Sequence, residues 1–138
     1  MSMMTTHSHL PEVVMPWCQT QHWLRGQTAL VTGAGTGIGK EIALALAAYG
    51  ADVAVNYLSS DETARQVTEA IREMGNRSIA IKADVSNEEQ VQAMFERLFE
   101  EFGTLDILVN NAGLQQDAPF EELTLAQWNK VISVNLTG

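Results

Sequence analysis

The chain has a single cysteine, Cys18, which excludes an internal disulfide and suits a reducing, cytoplasmic setting. It is short of positive charge: 8 Lys and Arg stand against 17 Asp and Glu, a net charge of −9. Nucleic acid calls for a basic face, so no nucleic-acid partner is expected. No run approaches the ~20 apolar residues of a membrane span, so no membrane partner is expected either. The N-terminus has no basic segment followed by an apolar one, so no secretory leader is expected. Repeats and low-complexity segments are absent. Tyr49 and Tyr57 are the only tyrosines, and neither has a lysine four residues on.

What is present centres on residues 28–41, T-A-L-V-T-G-A-G-T-G-I-G-K-E. Residues 28–32 are apolar and β-branched, the pattern of a buried parallel strand. Glycines follow at 33, 35, 37 and 39, and then a helical pattern. A strand running through glycines into a helix is a phosphate-binding arrangement. The glycines let the backbone turn tightly and approach a ligand, and the helix N-terminus offers free N–H groups. The spacing Gly33-x-x-x-Gly37-x-Gly39 is neither G-x-G-x-x-G nor a Walker loop.

Residues 1–24 have no clear period and read as a flexible N-terminal extension, with Trp17 and Trp23 packing on the body. His7, His9, Cys18 and His22 match no zinc spacing, so no metal is expected. Residues 25–138 read as one nucleotide-binding domain. Ile38, Ile42, Leu46 and Tyr49 follow helical spacing, with small residues between them and Gly50 as a stop. Residues 52–56 are a second strand. Ser59, Ser60 or Asp61 caps a helix whose face is Ala64, Val67, Ile71 and Met74, ended by Gly75. Residues 78–83 are a third strand. Ser86 and Glu89 form a capping-box pattern ahead of Val91, Met94, Phe95, Leu98, Phe99 and Phe102, and Gly103 ends that helix. Residues 106–110 are a fourth strand, and Leu125, Trp128, Val131, Ile132 and Leu136 outline a last helix that runs to the end of the sequence.

Strands alternating with helices imply an α/β fold, a Rossmann-type doubly wound parallel sheet. Right-handed crossovers give the strand order 3-2-1-4, with a switch point between strands 1 and 4. Residues 33–39 and 110–113 both fall at that crevice, which points to a dinucleotide.

At this level the sequence resembles the short-chain dehydrogenase/reductase family. Residues 32–39 match its T-G-x-x-x-G-x-G fingerprint, Asp84-Val85 its adenine-contacting pair, Asn110-Asn111-Ala112-Gly113 its N-N-A-G motif, and Asn135 its helix asparagine. The finer wording is most similar to bacterial glucose 1-dehydrogenases, in Val55-Asn56-Tyr57, in residues 102–106 and 111–114, and in Trp128-Asn129-Lys130-Val131-Ile132. The 3-oxoacyl-carrier-protein reductases are the next most similar, and a non-catalytic nucleotide-binding module is the alternative of another class.

The resemblance implies roles. Gly33 makes the turn, Gly37 lets the backbone approach the pyrophosphate, and Gly39 allows close helix–strand packing. Thr36 and Ile38 give backbone contacts near the phosphates. Asp84 accepts from the adenine amino group, with Val85 against the ring. Asn111, Ala112 and Gly113 line the ribose. Asn135 exposes a backbone carbonyl for a proton relay. The family's Ser and Tyr-x-x-x-Lys are not found in these 138 residues. The expectation is therefore the coenzyme half of an NAD(P)-dependent oxidoreductase, truncated before the later strands and inactive as given. Its full-length parent would be a homotetramer acting on a sugar or another small alcohol or ketone. Cofactor choice turns on the end of the second strand, where an NAD enzyme carries Asp or Glu. Here that place holds Asn56 and Tyr57, and Thr36 and Tyr57 stand where a basic NADP reader is often found. Both NADP and NAD are therefore expected.

Overall fold

A computed structural model of the chain describes residues 22–138. The readings placed on His7, His9, Trp17 and Cys18 lie outside these residues. Four strands, β1 (Thr28–Val31), β2 (Asp52–Tyr57), β3 (Ser78–Lys82) and β4 (Ile107–Val109), form one parallel sheet in the order β3-β2-β1-β4. The α/β reading and the strand order expected from the sequence both hold. Leu30 of β1 pairs with Ala54 of β2 on one side and with Leu108 of β4 on the other. Strand alternation splits the core into two layers. Ala29, Val31, Val53 and Val55 face the helices α1 (Gly37–Ala48) and α2 (Asp61–Glu73). Leu30, Ala54, Ile79 and Ile81 face Met94 and Leu98 of α3 (Glu88–Phe102).

The helix faces differ from the sequence reading in instructive ways. The buried face of α1 is Gly39, Ala43 and Ala47, while Ile38 and Tyr49 are exposed. The helix lies so close to the sheet that only small side chains fit beneath it, and Ile42 and Leu46 pack at its flanks. On α2 the expected Ala64, Val67 and Ile71 are buried, but Met74 is the exposed C-cap residue. Ser60 caps α2 by accepting from the Thr63 N–H. The capping box expected at Ser86 and Glu89 is absent. Asn87 caps α3 through the Gln90 N–H, because Ser86 is engaged with Asp84. The last helix also divides. The α-helical part, α4 (Leu125–Ile132), opens on a Thr124–Gln127 capping box, and a π-helical turn, Ser133–Thr137, follows it. Trp23 does pack on the body, stacking on Tyr49 at 5.6 Å.

All four strands end at the same edge of the sheet, so the turns after β1, β3 and β4 converge there. The far edge of β4 has no strand partner among the described residues, and Leu108 on it is 47% exposed.

Candidate cofactor-binding cleft

The turn after β1 and the loop after β4 are laced together through Thr32. Its N–H donates to the Val109 carbonyl at 3.0 Å, and its hydroxyl accepts from the Asn111 and Ala112 N–H groups, each at 2.9 Å. The Asn111 side chain returns the contact, donating through Nδ2 to the Thr32 carbonyl at 2.8 Å. Gly33 turns the chain at φ +62°, with the Ala112 Cα 3.0 Å from where a Cβ would stand. A larger side chain there would press on the Ala112 backbone and strain the left-handed turn.

The N-terminus of α1 differs from those of α2, α3 and α4. Those three are capped by the side chains of Ser60, Asn87 and Thr124. Thr36, the N-cap of α1, makes no side-chain cap bond, and the first turn of α1 holds no acidic residue. Its first N–H groups, with the positive end of the helix dipole, are left for an anion.

These elements wall a cleft of about 380 Å³. Of the residues singled out in the sequence, Gly33, Thr36, Ile38, Gly39, Asn56, Asp84, Val85, Asn111, Ala112 and Gly113 line it. Gly37 stands outside the lining, at φ +57° with open space where a Cβ would be. Tyr57 lies in an adjoining recess of about 210 Å³, shared with Thr36, Ser59, Ser60 and Thr63. Leu58, Ala83, Leu114 and Val134 also line the cleft, and none of these apolar residues is marked out as a site residue by the sequence.

Asn56 requires a correction. The sequence reading set it at the strand end as the residue facing the ribose 2′ position. β2 continues through Tyr57, and the Asn56 side chain is 1% exposed. Its Oδ1 accepts from the Gly33 N–H at 3.1 Å, and its Nδ2 donates to the Ile81 and Ala83 carbonyls at 3.3 and 3.1 Å. The amide is consumed within the protein, and the recess beside Tyr57 is the open space next to this strand end. The Tyr57 phenol is raised above its ordinary pKa by burial and then by the Asp61 carboxylate, to which it is hydrogen-bonded. It stays protonated at neutral pH and is unsuited to act as a base.

Asp84 follows β3. Its Oδ1 accepts from the Ser86 hydroxyl at 2.6 Å and the Ser86 N–H at 2.9 Å, while Oδ2 lies 3.9 Å from the Lys130 Nζ. The Ser86 hydroxyl is the main cause holding the carboxyl below its ordinary pKa, followed by the Ser86 N–H, with burial opposing and Lys130 assisting. A depressed folded pKa contributes stability above the unfolded value of about 4, and that stability is lost as pH falls through the folded pKa. Ser86→Ala is therefore expected to move the Asp84 titration upward and to reduce its share of acid sensitivity. Carboxyl-carbon NMR across the acid range checks this, and an unmoved midpoint would refute it.

Asn135 stands in the π-helical turn. Its Oδ1 accepts from the Leu114 N–H at 2.9 Å, and its Nδ2 donates to the Leu114 carbonyl at 3.0 Å. It is outside the cleft lining and acts on it through this two-bond hold on the wall residue Leu114.

A family model for short chain dehydrogenases matches residues 27–138. The chain is 46% identical over 112 residues to the hydroxynaphthalene reductase-like protein Arp2 of Metarhizium acridum, covering 81% of this chain and 42% of that protein. It is 43% identical over 115 residues to 3beta-hydroxysteroid dehydrogenase 1 of Eggerthella lenta, covering 83% of this chain and 44% of that protein. A crystal structure of a short chain dehydrogenase from Burkholderia cenocepacia in complex with NADP matches with a TM-score of 0.81 at 45% identity, covering 83% of this chain and 47% of that one. The chain thus spans about half the length of the relatives it matches. The fold, the glycine turn and the family match agree, and the chain belongs to the short chain dehydrogenase family.

Proposed function

We propose that the cleft holds the adenosine and pyrophosphate part of NADP or NAD, and that the whole protein is an NAD(P)-dependent oxidoreductase acting on a CH–OH or carbonyl group. The observation that carries this is the glycine-bounded N-terminus of α1, uncapped by any side chain, opening onto a cleft whose other walls are Asp84, Val85 and residues 111–113. The donor set suits the group. The α1 N–H groups receive the pyrophosphate. Asp84 offers Oδ2, which lies 3.9 Å from the Lys130 Nζ, to the adenine amino group, because Oδ1 is taken by Ser86. Val85 covers the ring, and Ala112 and Gly113 leave room for the ribose. When bound, the nicotinamide supplies a hydride acceptor or donor at C4. The resemblance gives Asn135 the role of holding, through its backbone carbonyl, a water of a proton relay, and the Ser, Tyr and Lys of that relay are not among these 138 residues.

A sugar such as glucose is the substrate reading drawn from the motif wording. A fused-ring alcohol or ketone is the second, favoured by the names of the relatives Arp2 and 3beta-hydroxysteroid dehydrogenase 1. The proposed assembly is a homotetramer of the full-length protein, in the cytoplasm. Among the described residues no helix is long and apolar enough to cross a membrane.

Calorimetric titration with both cofactors tests the central point, and absence of binding to either would end it. Dual use of NADP and NAD can be probed at Thr36, which borders both the cleft and the Tyr57 recess. Thr36→Arg is expected to tighten NADP binding about tenfold through a guanidinium–phosphate pair, leaving NAD nearly unchanged. Equal changes for both would move the 2′ site away from this recess.

A further inference from the structure

We infer that Asn56 is a positioning residue, whose single amide fixes the pyrophosphate wall and the adenine wall of the cleft relative to each other; this rests on the cofactor reading above. Gly33 stands on the first wall and Ala83, next to Asp84, on the second, and both line the cleft. The Asn56 side chain joins them, accepting from Gly33 and donating to Ile81 and Ala83. Its backbone carbonyl adds a bond from the Ala34 N–H at 2.8 Å.

The chemistry of the side chain is matched to this place. One N–H group needs an acceptor and two carbonyls need donors, and a carboxamide supplies both at once. Leucine would take away the partner of the part-buried Gly33 N–H and of two buried carbonyls. An ionised carboxylate would set oxygen against two carbonyl oxygens. The acid that reads the ribose in NAD enzymes therefore cannot be introduced at 56 without loosening the site. A change here acts on what NADP and NAD share, the pyrophosphate and the adenine, and not on the 2′ group that separates them.

The titratable residues beside it face elsewhere. The Tyr57 phenol turns to Asp61, Lys82 pairs with Asp61 at 3.7 Å, and the Asp84 carboxyl turns to Ser86 and Lys130. A carboxyl at 56 would be raised in pKa by burial and by the carbonyls.

The test is Asn56→Asp, with NADP and NAD binding and thermal melting measured at about pH 8 and about pH 5.5, each against the unsubstituted protein at the same pH. At the higher pH both cofactors are expected to bind about 10- to 100-fold more weakly, by similar factors. At the lower pH the protonated carboxyl can donate again, and both affinities are expected to recover. A loss confined to NADP would overturn the inference and return Asn56 to the 2′ site. So would unchanged affinity at both pH values, or a loss that persists in folded protein at the lower pH. If the aspartate variant does not melt cooperatively at the higher pH, Asn56→Ala takes its place there. It adds no charge and is expected to weaken both cofactors at both pH values; full affinity in folded Asn56→Ala would also overturn the inference. Failure of the unsubstituted protein to bind either cofactor would instead remove the cofactor reading, and this inference with it.

Discussion

Gly39→Ala is expected to destabilise the protein by about 3 kcal/mol and to abolish cofactor binding. A Cβ at this position would collide with the Asn111 side-chain nitrogen, lie 2.6 Å from the Gly33 carbonyl oxygen, and stand 3.1 Å from the Ala34 Cα. Two of those neighbours are backbone and cannot swing aside. The third, Asn111 Nδ2, could move only by giving up its bond to the Thr32 carbonyl. Overpacking of this kind costs about 1–3 kcal/mol, and a displaced hydrogen bond adds about 1 kcal/mol. Binding suffers as well, because relief requires α1 to lift from the turn and its N-terminus to leave the cleft. Gly37→Ala is the contrast. Its Cβ meets nothing within 4 Å, so only the left-handed backbone at φ +57° is strained. That costs about 1–2 kcal/mol. Urea unfolding of the two variants separates them. A Gly39→Ala protein no less stable than Gly37→Ala would mean that the loops are not packed as described.

The sheet was legible because its strands are short apolar runs bounded by turn residues, and because right-handed crossovers leave only a few orders for this alternation of elements. The crevice was legible because glycine spacing reports backbone geometry directly. Side-chain direction at the strand ends was not legible. Asn56 read as an open end because nothing in the string V-A-V-N-Y tells whether an asparagine turns to solvent or to a neighbouring turn. Its partners are Ile81 on β3 and Gly33 and Ala83 just after β1 and β3, all distant in sequence. The face of α1 was misjudged for a related reason. Periodicity points to the bulky residues, whereas close approach to a sheet selects Gly39, Ala43 and Ala47. Ser86 looked like a cap because it stands three residues before Glu89, yet its hydroxyl does more for the Asp84 carboxylate two residues back. The π-helical turn that carries Asn135 leaves no periodic signal, since five residues are too few to show one.

Thr32 is the residue whose weight was least visible, and Thr32→Val is expected to cost about 3 kcal/mol. Threonine and valine have nearly the same shape, so the change tests the hydroxyl alone. That hydroxyl accepts from the Asn111 and Ala112 N–H groups, both at 2.9 Å, in a residue only 5% exposed. A methyl in its place leaves two donors unsatisfied beneath the cleft, each at about 1–3 kcal/mol. The loop at 111–113 is then held to the turn after β1 by the Asn111 side chain alone, and the ribose side of the proposed cofactor cleft loosens. Thr32→Ser keeps the acceptor and gives up one methyl, so it is expected to cost about 1 kcal/mol or less. The hydroxyl and the Asn111 side chain join the same two loops, so Thr32→Val and Asn111→Ala are expected to be non-additive by more than about 0.5 kcal/mol. Urea unfolding of the single and double variants measures both quantities. A valine variant as stable as the serine one would show that Thr32 is only packing, and that the loop after β4 is held by Asn111 alone.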